Sequence, residues 1–414
     1  MRTLLRVGQM VDGTGSGPIR DAAILIEGER IVAAGRSADI GMPDGARVIE
    51  APAATAIPGL VDVHVHLSYS GSPDKRAFRA ELVEMSYPLV ALRAAENARN
   101  TLLHGFTSVR DMHAPGGTII DLRDAVNRGY VEGPRIKACG MGLTVTGGHM
   151  DQPGWGDHAS FLDMTYPCDG PIAFRAGVRA QLKRGADFIK LNPCVSFRKD
   201  PDTKPYRFEM NIDEIRAACE EAHEQGVHVG AHTSGGPPLR AAIEAGCDTV
   251  EHAHWIDDAT LELMVKRGTY LVPTLLVNKT SSAAAAADPE TPRGSKRWAE
   301  LSEKAMWERL DRARRAGVKV AAGSDAGFML EHGTTNAGEI ELLVEGGYSP
   351  LEAICAATAT GADILEIDAG RLIAGKLADI VLVSGDPLVD ISVLRRRENL
   401  RVFKGGREVR APAA

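Results

Sequence analysis

No two cysteines in this chain are spaced Cys-x-x-Cys. The six are scattered at Cys139, Cys168, Cys194, Cys219, Cys247 and Cys355. That pattern argues against a disulfide framework and reads as small buried apolar residues in a reducing compartment, so a cytoplasmic location is expected. Long apolar runs are also missing. Nothing approaches the roughly 18 residues needed to span a bilayer, and Met1 to Val11 meets Asp12 and Gly13 before any h-region forms. No membrane partner and no signal peptide are expected. Basic charge is not in excess: the formal net charge is −7, which argues against nucleic acid as a partner. A glycine-rich dinucleotide fingerprint is absent after the first apolar strand, which counts against a doubly wound open sheet.

What remains is the composition of a globular protein, 44% hydrophobic and 25% charged. At 414 residues the chain is too long for one ordinary core. It suits a barrel of about 250 residues plus a smaller domain.

The stretch Pro58-Gly59-Leu60-Val61-Asp62-Val63-His64-Val65-His66 reads as a short buried strand. Side chains alternate along a strand, so Asp62, His64 and His66 share one face and the valines share the other. Three polar groups on one face of an apolar strand need a partner. A divalent cation would serve, with Asp62 holding a ring N–H from behind.

After His66 a helical stretch ending in glycine repeatedly precedes a short apolar strand. The glycines are Gly105, Gly129, Gly185, Gly226, Gly246, Gly268 and Gly317. Glycine after a helix is the usual left-handed reversal point. The strands are 107–110, 135–139, 188–191, 228–231, 249–251, 270–272 and 318–321, which makes eight with the strand of His64. Alternating helices and apolar strands predict an α/β fold, a closed (β/α)8 TIM-like barrel over residues 58–369. Both ends are strand-rich. Leu4–Met10, Ala22–Glu27 and Arg30–Ala34 lie in 1–57. Gly375–Val383, a turn followed by a strand, Leu400–Phe403 and Glu408–Arg410 lie in 370–414. Each end is too small alone, and together they are expected to form one small β-sandwich domain. A helix is expected over Ser349–Gly361, and longer loops over Leu143–Asp169 and Asn278–Ser295, the second part helix and part lid.

Working residues of a barrel sit at the carboxyl ends of its strands. Those ends hold His64 and His66, Lys190, His232, His252 and Asp325. His228 competes with His232, and His254 with His252, since each pair has the same strand parity. Asp325 could instead cap a following helix. Lysine is rarely buried without a role, and Lys190 stands among Phe188, Ile189 and Leu191.

These pieces, with Ala231-His232, Val250-Glu251-His252, Gly323-Ser324-Asp325 and Gly375-Lys376-Leu377-Ala378-Asp379-Ile380, resemble the two-metal branch of the amidohydrolase superfamily. The resemblance covers nearly the whole chain. It implies a carbamate on Lys190, formed with CO2, bridging two divalent metal ions. His64, His66 and Asp325 would hold one ion, and His232 and His252 the other. Zinc suits these ligands, with Mn, Co or Ni as alternatives. Two ions about 3.5–4 Å apart lower the pKa of a water and polarise a carbonyl. Asp325 would be catalytic, taking the water's proton and passing it to a leaving amine.

The loop Thr144-Val145-Thr146-Gly147-Gly148-His149 resembles the group of prolidase-like carboxypeptidases and ochratoxin-hydrolysing amidases. It implies a small-molecule substrate: an N-acyl amino acid, dipeptide or aryl amide with a free carboxylate, held in part by His149. Arg110-Asp111-Met112-His113 is a second polar cluster after strand two. A homo-oligomer is expected. The competing readings are a one-metal deaminase or cyclic-amide hydrolase of the imidazolonepropionase type, a lactone, urea or carbamate hydrolase, and an inert barrel used as a binding scaffold.

Overall fold

The computed structural model describes residues 2–151, 162–196, 201–202 and 205–409. Residues 152–161 of the expected long loop and Arg410 of the expected last strand lie outside them.

The barrel is built from parallel strands Leu60–Val65, Phe106–Asp111, Arg135–Ala138, Ile189–Leu191, Val229–Gly235, Thr249–Trp255 and Tyr270–Val272. The third strand kinks at Gly140 and resumes as Gly142–Thr144, which meets the fourth at Leu143 and Leu191. The eighth position is not a regular strand. Residues 318–326 bridge Leu271 through Val320 and Val65 through Ala326. Val63 N–H donates to Ala322 O at 3.0 Å, and Asp325 N–H to His64 O at 2.8 Å. Gly323 explains the tight closure: a Cβ there would lie 2.5 Å from Val272 Cγ1 and 2.8 Å from His64 Cβ. All seven punctuating glycines have positive φ, from +73° to +113°. Left-handed backbone is cheap only for glycine, so each one ends a helix and turns the chain into the next strand.

All six residues of Leu60–Val65 are buried. Val61 and Val63 face out of the barrel onto Ala362, Ile364 and Leu365. The opposite face carries Asp62 and His64 inward, so the strand is covered on both sides.

The two chain ends share one seven-stranded sheet. Its central strand, Arg47–Pro58, pairs parallel with Arg2–Met10 and antiparallel with Ile380–Ser384. Beyond these lie Ile19–Glu27 and Arg30–Arg36 on one side, and Leu400–Lys404 and Arg407–Glu408 on the other. The turn at Gly28 folds back on the far half: Glu29 O accepts from Ala378 N–H, and Ile31 N–H donates to Lys376 O at 2.9 Å. The sheet thus curls around Leu5, Ile24, Ile26, Ile31, Ile380 and Phe403. Fully buried Asp379 ties it to the barrel, with Arg135 Nε donating to Oδ2 at 3.0 Å and Gly405 N–H to Oδ1 at 2.7 Å.

Besides the eighth position, three further elements differ from expectation. Arg47–Pro58 is a strand although it holds Pro52 and three consecutive small or β-poor residues; Gly8, whose Cβ would meet Pro52 O at 2.2 Å, makes room for the register shift. The alanine run is helical, within Leu275–Ala287, and a short break leads to Arg293–Ala316. The expected helix near 349–361 is two, Pro350–Ala356 and Ala359–Leu365, separated at Thr358 with φ −138°. Among the described residues no helix is long and apolar enough to cross a membrane.

Candidate metal centre

His64 and His66 leave the carboxyl end of their strand on one face. Asp325, at the irregular eighth position, reaches back to both. Its Oδ1 lies 3.5 Å from His64 Nε2 and 3.2 Å from His66 Nε2. Ligand atoms of these three lie within 4.8 Å of one another. The rings of His232 and His252, from neighbouring strands, have centroids 4.5 Å apart, and His252 lies 5.1 Å from His64. Lys190 completes the group. It is 2% exposed, and its Nζ has no hydrogen-bond partner among the described residues. All six line one cavity of about 310 Å³.

Burial pushes the Lys190 ammonium down to about 8 and thereby favours a neutral amine. Burial, aided by the charge of His149 on His232 and of His232 on His252, also takes both imidazoles well below the ordinary range. Burial alone would raise Asp325, but His64, His66 and Lys190 outweigh it and hold the carboxyl low. Neutral imidazoles, an ionised carboxylate and a buried amine with no partner are the donor set that divalent ions and a lysine carbamate require. The residues present fit that group.

The partner of His64 is not Asp62. Asp62 Oδ1 accepts from the backbone N–H of His64 at 3.1 Å and of Ser324 at 3.0 Å. Its Oδ2 accepts from Ser324 Oγ and from Asn336 Nδ2 at 2.8 Å. A side chain this short turns back on its own strand and pins the eighth position instead. The ring of His64 donates from Nδ1 to Glu251 Oε2 at 2.8 Å. Arg110 Nη2 donates to Glu251 Oε1, also at 2.8 Å, so the Arg110 end of the expected polar cluster supports the site from below. His252 is oriented by Thr274, whose Oγ1 lies 2.8 Å from Nδ1. His66 Nδ1 donates to His113 O at 3.3 Å.

Of the competing histidines, His228 lies 3.7 Å from Glu366, away from the cavity. His254 packs against Trp255 and Trp298. Asp325 caps no helix: the next one begins at Gly338.

The amidohydrolase family model matches residues 55–409. The chain belongs to the amidohydrolase family. Ochratoxinase of Aspergillus niger is 29% identical over 99% of this chain and 87% of its own length. Its crystal structure superposes with a TM-score of 0.86, covering 99% of this chain and 96% of that one. A Xaa-Pro dipeptidase with methionine bound in its active site is 31% identical, with a TM-score of 0.89 over 99% of this chain and 100% of that one. Imidazolonepropionase of Streptomyces coelicolor is 25% identical over 91% of this chain and 88% of its own. These similarities support an enzyme acting on amide bonds.

This amidohydrolase's cavity also takes in His149, whose ring stacks on His232 with centroids 4.1 Å apart. Its backbone N–H donates to Glu209 Oε2 at 2.7 Å, which fixes the loop. The paired glycines before it serve the turn. Gly147 has φ +69°, and a Cβ on Gly148 would meet Thr144 Oγ1 at 2.3 Å. Sequence reasoning missed Tyr69, Met150, Asn192, Val195 and Phe328, which also line the cavity. Asn192 offered a signal, since it stands two residues after Lys190 and so shares its strand face. Both amide atoms of Asn192 are buried without a partner among the described residues.

Proposed function

We propose that this amidohydrolase is a two-metal enzyme that hydrolyses an amide or peptide bond of an N-acyl amino acid, dipeptide or aryl amide. The observation that carries the reading is Lys190: a buried amine with no partner, set among four histidines and Asp325. His64, His66 and Asp325 would hold one divalent ion and His232 and His252 the other, with carboxylated Lys190 shared between them. When bound, such ions activate a water and polarise the scissile carbonyl. Asp325 accepts the water's proton on its carboxylate and returns it to the leaving amine. His149, stacked on His232, grips the substrate. Tyr69, Met150, Val195 and Phe328 give the cavity an apolar wall suited to an aryl or alkyl group.

The substrate class draws on the relatives' names, an ochratoxinase and a Xaa-Pro dipeptidase. An imidazolonepropionase-like one-metal reaction is the second reading, favoured by that relative and disfavoured by the buried lysine. Metal analysis of protein reconstituted with zinc and bicarbonate separates them. The expected result is two ions per chain, with hydrolysis across a panel of N-acyl amino acids and dipeptides. One ion per chain, with activity only on cyclic amides or amino-substituted rings, would overturn the proposal.

A further inference from the structure

Arg309 lies deep in the molecule with no carboxylate among the described residues within ion-pair distance. It projects from the helix Arg293–Ala316 and is 1% exposed. A buried guanidinium without a counter-charge is costly unless its N–H groups are satisfied. Here backbone carbonyls satisfy those of both Nη atoms, while the buried Nε has no partner among the described residues. Nη1 donates to His252 O and to Ala253 O, the latter at 3.2 Å, and Nη2 donates to Pro273 O at 2.9 Å.

Those carbonyls belong to unusual backbone. His252, Ala253 and Thr274 have φ of +63°, +48° and +48°, and none is glycine. Left-handed conformations of such residues persist only where the surroundings over-determine them. His252 is the proposed metal ligand, and Thr274 supplies the hydroxyl that meets its Nδ1 at 2.8 Å. One side chain therefore grips both the backbone that aims the His252 ring and the segment that orients it. On the far side Glu339 accepts from Leu275 N–H at 2.9 Å and Leu276 N–H at 2.8 Å, so the turn after Pro273 is held from both directions.

We infer that Arg309 is a positioning residue for the metal centre: it locks the left-handed turns at His252–Ala253 and Pro273–Thr274 and thereby sets His252 to bind the second ion. The inference rests on the two-metal reading proposed above. Arginine suits the task because its planar fork serves several carbonyls at once, whereas lysine is a compact point charge on a flexible stem.

The test uses the full chain, stripped of metal and titrated with zinc and with cobalt. Four variants are compared: Arg309→Met, Arg309→Lys, Thr274→Val and Leu310→Ala. The last removes packing from the same helix, where Leu310 lies against Gly346, and none of the hydrogen bonds to either turn. Wild-type protein is read first; fewer than two ions there counts against the two-metal reading itself. With two ions in the wild type, Arg309→Met is expected to weaken the second ion at least ~10-fold and leave the first unchanged, the range seen when supports of metal ligands are lost. Arg309→Lys should recover part of this, and Thr274→Val should reproduce it. Leu310→Ala should lower the melting temperature yet keep both affinities. The ring-nitrogen NMR shifts of His252 in metal-free protein should change in Arg309→Met and not in Leu310→Ala. If Arg309→Met does not fold, Arg309→Lys and Thr274→Val decide. Two ions at wild-type affinity, with unaltered His252 shifts, in the folded Arg309 and Thr274 variants would overturn the inference.

Discussion

Glu251 accepts from His64 Nδ1 at 2.8 Å while its other oxygen takes Arg110 Nη2 at the same distance. Burial alone would raise the Glu251 carboxyl, but Arg110, His64 and Lys190 together bring it down to about 2. An ionised carboxylate only accepts, so His64 must carry its proton on Nδ1 and turn the Nε2 lone pair toward Asp325 and the cavity. Glu251→Gln keeps the shape and removes the charge. Metal affinity should fall about 10–100-fold. Buried Arg110 would lose its counter-charge, at a stability cost on the order of 3–5 kcal/mol. Metal titration alongside denaturant unfolding checks both, and unchanged metal affinity would mean that His64 needs no partner.

Lys190→Ala removes the amine proposed to carry the carbamate. Metal and activity should be lost together, and small carboxylates such as acetate or propionate should restore part of each by occupying the vacated space. Metal analysis with and without the added acid reads this directly. Wild-type turnover in Lys190→Ala would take the lysine out of the reaction altogether.

Much of this site was legible because strand ends have a signature that needs no third dimension. His64, His66, Lys190, His232, His252 and Asp325 each follow a short apolar run introduced by a turn, and the structure brings all six to one cavity. What escaped depends on contacts across the fold. Glu251 and Asp62 are both acids on metal-site strands, and only the packing shows that Glu251 reaches His64 while Asp62 turns to Ser324 and Asn336. The strand Arg47–Pro58 escaped because Pro52 breaks its pattern and the compensating space lies at Gly8, more than forty residues away. The stretch 278–295, read as part helix and part lid, is helical as far as Ala287 and packs through Asn278, Ser282 and Ala285.

Asp325→Asn separates ligand from base. The backbone at Asp325 is left-handed, with φ +61°, a conformation asparagine tolerates well, so the fold should survive. Loss of the general base should lower kcat by several orders of magnitude. The wild-type rate should rise with pH as Asp325 ionises, and because its carboxyl is held low that limb should lie at the acidic end. The acidic limb should vanish or move in the variant. An unchanged pH profile would place the base elsewhere.

Glu339 gives a stability signature independent of activity. Burial raises its carboxyl from the ordinary 4.5 to about 8, despite two backbone N–H donors. Between those values the folded state holds a proton that the unfolded chain releases. Rising pH therefore lowers stability from about 4.5 to about 8, and the effect is level above that. Glu339→Gln cannot titrate. Its melting temperature relative to wild type, both metal-free, should improve steadily across that window. Parallel curves for the two proteins would show that Glu339 is already ionised when folded.

His149 decides how the substrate is held. Its ring lies over His232 at a stacking distance of 4.1 Å, which places it beside the proposed second ion rather than among the ligands of the first. An imidazole there can donate to a carbonyl or carboxylate oxygen. If it only grips the substrate before and after the chemistry, His149→Ala should raise KM with little change in kcat. Stabilisation of the charged intermediate would instead lower kcat and kcat/KM together, by ~10²-fold or more. The two outcomes separate on one substrate series. An N-acyl amino acid should be preferred to its methyl ester or amide by the wild type, because the proposed substrate presents a free carboxylate on the amine side. Equal kcat/KM for acid and ester would remove the carboxylate from recognition and turn attention to neutral amides, lactones or ureas, which the same metal centre would attack.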